Sequence, residues 1–438
     1  MIILRTVKNI SSLNIAASVL LFLAAILAAV VANSSLSPVY QDFLLQELHL
    51  RIGNFNLFSH GGHPLKMIEF INDCLMTVFF LAVGLEIKRE LLVGELSSVR
   101  KAALPFIAAC GGMVVPVVIY ALSVASSTPE TRGMAIPMAT DIALSLGVLS
   151  LLGKRVPLSL KIFLTAFAVV DDIGGILVIA LFYSADVAYG YLIAAAVLYV
   201  FLYYMGKFGV TQKIFFLFFG VIIWYLFLQS GIHSTISGVL LAFVIPARPR
   251  LDAGKYIERI RDIIGEFPVS KSDNIVLTNA QIATWKQVER ASYYVISPLQ
   301  SLEDNLHGAV SFVILPLFAF ANAGVVFSGS GSIVGDVSIA VAAGLLLGKF
   351  LGIYLFTWLA VKSGVALMPA GMNWKNIAGV SLLGGIGFTV SLFIANLSFA
   401  DEYPELLNQA KFGVLVGTVL AGVLGYVVLN WVLPEREK

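Results

Sequence analysis

Gly384-Gly385-Ile386-Gly387-Phe388-Thr389 lies in the middle of an apolar block that runs from residue 376 to 399. A block of this length crosses a hydrocarbon core of about 30 Å as one helix, which takes about 20 residues. Three glycines and a threonine at its centre oppose a regular helix. Irregular backbone at membrane depth is tolerated only inside protein or beside a water-filled cavity. A second apolar block, 134–152, carries the same contradiction, because Ile136-Pro137-Met138-Ala139-Thr140-Asp141 sets a proline ahead of a polar pair. Paired interruptions in corresponding places of two halves point to inverted-topology repeats with a site between half-helix ends. The expected fold is therefore an all-α integral membrane protein with two discontinuous crossing helices.

Composition agrees. Of the 438 residues, 59% are hydrophobic and 12% charged, against about 25% charged in soluble domains. Apolar blocks fall near 13–33, 67–86, 103–124, 134–152, 158–183, 190–206, 213–228, 231–246, 297–325, 338–361, 376–399 and 411–433. This makes twelve spans, with the interrupted ones fourth and eleventh. Lys and Arg collect in cytoplasmic loops. One alternate set of connections holds Arg5 and Lys8; Lys88, Arg89, Arg100 and Lys101; Lys154 and Arg155; Lys207 and Lys213; the stretch Arg248 to Arg290; Lys362 and Lys375; and Arg436 and Lys438. The other set has Arg51, Lys66 and Arg132, then no further base near Asp186, Gln229, Asp336 or Asp401–Glu405. Twelve spans with both termini cytoplasmic satisfy this alternation, with Ser230-Gly231 as the turn between the seventh and eighth. The first block follows Arg5 and Lys8 as a secretory signal would, but it is longer than the usual apolar region of about 7–15 residues, so it reads as an uncleaved first helix.

Outside the spans, residues 47–58 alternate apolar and polar around Gly53-Asn54, a β-hairpin pattern. Residues 249–295 form a long charged cytoplasmic loop with a helical pattern near Tyr256–Ile264. A net charge of +2 with no basic stripe argues against a nucleic-acid partner. Cys74 and Cys110 lie in apolar segments without the spacing of a metal or redox motif.

Ionisable residues at membrane depth are costly and so informative, at no less than about 2.5–3.5 kcal/mol each near the centre. Four places hold them: Asp141 beside Thr140, the pair Asp171-Asp172, Lys349, and, less deeply, Asp73. Adjacent residues on a helix project about 100° apart, so the two aspartates cannot share one contact direction. Two neighbouring carboxyls in apolar surroundings resist joint ionisation, which makes at least one a candidate proton exchanger near neutral pH. Asp171 is the candidate partner of Lys349, and Asp172 the exchanging site. Lys349 has two plausible partners, a carboxylate or the C-terminal ends of the broken helices, while Asp141 would offset their N-terminal ends. Gly344, Gly348 and Gly352 around the lysine let another helix come close. At the end of the second span, Glu86, Lys88, Arg89 and Glu90 suggest a pH-responsive funnel, which His233, Glu303 and His307 could join. A solvated helix end and structural histidines are the plainer alternative.

At these motifs the chain closely resembles the NhaA-type bacterial sodium/proton antiporters. The matching stretches are Asn72-Asp73 with Phe79 to Glu86 and Lys88-Arg89-Glu90; Pro137 to Ala143; Phe167 to Asp172; Ser230 to His233; Leu315 to Gly324; Gly348-Lys349; and Gly385 to Thr389. The resemblance implies Na+ or Li+ binding at Asp172, with Asp171 essential, a second carboxylate for the ion and able to pair with Lys349, and with Thr140 and Asp141 beside the crossing. It implies a pH-responsive cytoplasmic region at Glu86, Lys88, Arg89, Glu90, Glu303 and His307. It further implies a bacterial inner-membrane location and a homodimer formed through the 47–58 hairpin. Phe350, Asp304 and Gly308 depart from the family's usual residues at the buried lysine and near the pH-sensing motif.

The resulting expectation is an electrogenic secondary antiporter of Na+ or Li+ against H+, regulated by pH and needing no cofactor. A sodium-coupled symporter of an organic solute on a related fold is the alternative, although the crossing lacks a polar or aromatic pocket for a solute. An intramembrane enzyme is disfavoured: the chain has no His-Glu-x-x-His, Gly-x-Ser-x-Gly or Walker-type motif. A passive channel would not need the coupled aspartate–lysine set.

Overall fold

A computed structural model describes residues 2–434 apart from 53–54, 61–62, 126–128, 185–186, 249–252, 266, 268–275, 277, 328–331 and 401. The expected turn at Gly53-Asn54, Asp186, Asp401 and the basic pair Arg436 and Lys438 lie outside the described residues.

The chain is mostly helical. Among the described residues nine helices are long and apolar enough to cross a membrane, and two bent pairs raise the count to as many as eleven. The bent pairs fall on the two interrupted blocks. Pro129–Met138, a 3₁₀ helix, meets Ile142–Leu151 at 44°, and Trp374–Leu383 meets Phe388–Phe399 at 44°. The eighth expected span contains only one short helix, Thr235–Val244, about 15 Å long at 1.5 Å per residue. Gly231, at φ 78°, ends the preceding helix Lys213–Ser230 in the left-handed region that favours glycine.

Three longer segments carry a turn of π-helix, at Ile71–Leu75, Val310–Ile314 and Gly344–Gly348. Such turns insert a residue into the i→i−4 ladder and are frequent at functional sites. The glycines around Lys349 have the packing use their spacing suggests. A Cβ on Gly348 would press on the Pro116 backbone, and one on Gly352 would run into the Gly111 carbonyl, so Lys349–Lys362 lies directly against Val99–Ser123.

Arg51–Ile52 pairs antiparallel with Phe55–Asn56, and Ser59–His60 with His63–Pro64. The chain then returns alongside its start through a Glu47–Lys66 bridge and a 2.9 Å hydrogen bond from Leu48 N to Leu65 O. The extended region is thus longer than the alternation at 47–58 suggests. Within 249–295 two helices form, Ala253–Gly265 and Asn279–Val295, the second opened by a capping box between Thr278 and Gln281.

Candidate ion-binding site

Breaking two helices inside an apolar protein leaves four ends whose backbone groups need partners. One carboxylate serves both N-terminal ends. Asp141 Oδ1 accepts from Leu144 N at 3.0 Å and caps Ile142–Leu151, while Oδ2 accepts from Thr389 N at 3.2 Å and Thr389 Oγ1 at 2.7 Å at the start of Phe388–Phe399. A negative group at two converging N-termini offsets the partial positive charge of both. The C-terminal ends are met by hydroxyls. Thr140 Oγ1 donates to Gly384 O at 2.7 Å, Ser145 Oγ to Leu383 O at 2.9 Å and Ser391 Oγ to Ile136 O at 2.7 Å. A backbone bond of 2.6 Å from Asp141 N to Ile386 O ties the two breaks together.

Of the two kinds of partner open to Lys349, the structure selects the carboxylate. Lys349 Nζ donates to Asp171 Oδ2 at 2.6 Å, with both side chains 0% exposed, and the ammonium lies 5.6 Å from the centre of the Phe167 ring. It does not cap the half-helix ends, because small hydroxyls on the broken segments already reach those carbonyls. The other Asp171 oxygen is buried beside Thr140 without a hydrogen bond of full geometry.

Asp172 faces elsewhere. It joins Thr140, Asp141 and Thr389 in the wall of a cavity of about 300 Å³, whose other polar lining includes Glu86, Arg89, Glu303, His307 and Ser311. Arg89 organises that wall with a 2.9 Å bond to Glu303, a 2.7 Å bond to Glu90 and a looser 3.9 Å approach to Glu86. The aspartate pair is thus split by the helix twist, one member sealed against a lysine and the other on a cavity shared with an acidic cluster.

Other anticipated site residues are located away from this cavity. Lys88 Nζ donates to the carbonyls of Ala242, Phe243 and Ile245, where it caps the C-terminal end of Thr235–Val244. Glu90 accepts from Glu95 N at 3.0 Å at the end of its helix. His233 lies 3.6 Å from Asp73, bonds Thr235 at 3.0 Å and stacks edge-on against Phe393 at 5.1 Å. Asp73 also accepts from Ser234 Oγ at 3.2 Å. Sequence reasoning gave no role to Thr389 or Ser311. Thr389 was visible in the Gly-rich motif, but its partner stands 248 positions away.

Comparison with known proteins fits this geometry. Residues 8–429 match the family described as "Na+/H+ antiporter 1". The chain belongs to this family. A Bacteroides thetaiotaomicron protein named Na(+)/H(+) antiporter NhaA is 73% identical over 438 residues, with full coverage of both chains. One from Bacteroides fragilis is 74% identical over 437 residues, also with full coverage. A Porphyromonas gingivalis antiporter of the same name is 47% identical over 98% of this chain and 96% of its own. Membership in the antiporter family, together with the apolar helices, makes this a bacterial membrane protein.

Proposed function

We propose that this chain expels Na+ or Li+ in exchange for H+ by letting the two ions compete for Asp172. The observation carrying the reading is the position of Asp172 in a cavity wall that also holds Thr140, adjacent in sequence to an Asp171 neutralised by Lys349. A sodium ion is hard and favours oxygen ligands. The Asp172 carboxylate and the Thr140 hydroxyl supply them, since that hydroxyl spends its proton on Gly384 O and keeps lone pairs free. A proton binds the same carboxylate, so each ion displaces the other.

Nine long helices, two broken segments and the short Thr235–Val244 helix together support twelve crossings built as inverted repeats, with both termini cytoplasmic and the broken segments crossing mid-membrane. The cavity then opens toward the cytoplasm at Glu86, Arg89, Glu303 and His307. This cluster, with Glu90, sets the pH response by changing the charge around the ion's entrance. Lys88, His233 and Asp73 support the surrounding helices. Protein motion between two bundles exposes Asp172 alternately to each side. When Asp172 and the Asp171–Lys349 pair together release two protons per Na+, one net charge crosses per cycle, worth about 2.3 kcal/mol per 100 mV of membrane potential. The extended region beginning at 47–58 supplies a protomer contact for a homodimer. No cofactor is required by this chemistry. The relatives compared are all named as Na+/H+ antiporters, and nothing favours the organic-solute symporter.

Everted vesicles carrying a pH-sensitive dye test the reading. Sodium added to vesicles with an acidic interior should collapse the gradient, and Asp172→Asn should abolish that response. A wild-type protein that ignores sodium from pH 6 to 9 would overturn it.

A further inference from the structure

Taken as the last lining residue on each of three segments, the cavity floor falls at Phe79, Leu315 and Val390. Seven residues beyond the floor on the first two of these segments and six on the third, away from Glu86, Arg89 and Glu303, stands an asparagine: Asn72, Asn322 and Asn396. Six or seven helical residues span about 9–10 Å, so the three reach a common level on the far side of the floor. There they bond one another. Asn322 Nδ2 donates to Asn72 Oδ1 at 2.8 Å, Asn396 Nδ2 donates to Asn322 Oδ1 at 2.9 Å, and Asn72 Nδ2 donates to the same oxygen at 3.3 Å. Asn322 is fully buried. Asn72 belongs to a π-helical turn, where the regular ladder is already interrupted.

An aromatic layer stands at and just beyond this floor: Phe318 and Phe393 lie between it and the asparagines, Phe80 lies beside Phe79, and the His233 ring meets Phe393 edge-on at 5.1 Å. Phe393, also fully buried, packs against Phe80 at 5.8 Å and Phe318 at 6.4 Å between ring centres, one ring from each of the same three segments. A bare alkali cation cannot pass such a layer without losing its oxygen ligands, which is prohibitive in apolar surroundings. Three apolar segments in lipid have little hydrophobic drive to stay together, whereas interhelical amide bonds can hold them.

We infer that Phe393 with Phe80 and Phe318 is the plug that closes the cavity on its periplasmic side, and that the Asn72–Asn322–Asn396 cluster is the latch holding it shut. The latch is polar and compact, so it can be remade on each cycle. It joins the second half of a broken segment, Phe388–Phe399, to two others, and its opening requires that half to separate from Asn322. This device rests on the alternating exposure of Asp172 proposed above, and it adds which contacts must break for the outward state.

Thiol accessibility tests the latch without relying on transport. Val390 lines the cavity floor; in a Cys74→Ser, Cys110→Ser background, Val390→Cys becomes the single target. In right-side-out membrane vesicles an impermeant maleimide should label it slowly. Asn322→Ala, and Asn396→Ala should the former fold poorly, should raise that labelling about tenfold as the outward state gains population. Asn408→Ala, which removes a bond to Val326 elsewhere, should leave it unchanged. Unaltered labelling in folded latch variants, or an equal rise with Asn408→Ala, overturns the inference. Dye-monitored exchange on the same preparations reads the antiport itself. A latch result of either kind therefore stays distinct from failure of the exchange reading.

Discussion

Asp171 and Asp172 are neighbours in the chain and yet occupy opposite surroundings. Asp171 is shut in with an ammonium at 2.6 Å, and neither side chain meets solvent. Asp172, one helix step of about 100° further round, borders a cavity with Thr140, Asp141 and an acidic wall. The difference shows how a single helix can give two identical side chains opposite surroundings, one sealed against a base and one on a cavity wall. A buried pair is held by mutual neutralisation and strongly resists losing one member. A carboxylate on a cavity wall has no such fixed partner, which is the contrast that the proposed exchange at Asp172 relies on.

The contrast breaks most easily at Asp172. Asp172→Asn should remove sodium-dependent proton movement entirely while leaving thermal stability in detergent nearly unchanged; a large fall in melting temperature would mean that both aspartates are structural. Lys349→Met should do the reverse to stability. It strands Asp171 in an apolar site at a cost of about 3–5 kcal/mol, and adding Asp171→Asn should restore much of the melting temperature. Failure of the double variant to recover would show that Lys349 holds something besides Asp171.

A change one contact further away sharpens the comparison. Thr389→Val deprives Asp141 of a charge-assisted bond worth about 1.5–3 kcal/mol, so the protein should melt earlier and its sodium half-saturation should rise. If protons and sodium meet only at Asp172, half-saturating sodium should fall as pH rises, by about tenfold per unit for each proton displaced. A sodium requirement that ignores pH would separate the two ions' sites. The smallest effect belongs to the cavity mouth. Arg89→Gln breaks partly exposed pairs of about 0.2–1 kcal/mol each, so it should shift the pH of half-maximal exchange without lowering the maximal rate.

Much of the fold is legible in the amino-acid sequence. Apolar block lengths reveal the membrane architecture, because lipid demands long helices. Gly384 to Thr389 and Pro137 to Asp141 give away the two breaks, because lipid also forbids irregular backbone. The buried carboxylates stand out for the same energetic reason. Pairings are harder, since they depend on which helices touch. Periodicity leaves Lys349 with a choice of partners, and its bond to Asp171 spans 178 positions. Lys88 reads as part of a charged helix end, whereas its ammonium crosses to the carbonyls of another helix. The three asparagines are plain in the sequence, but no spacing rule joins positions 72, 322 and 396.

Asp141 has one further effect. Each of its oxygens holds a different half-helix, and the 2.6 Å backbone bond to Ile386 fastens the breaks at the same spot. Sliding one interrupted segment past the other would strip both caps simultaneously. One carboxylate and one backbone bond thus rivet the two interrupted segments at a single point, as a pin fastens two crossed slats.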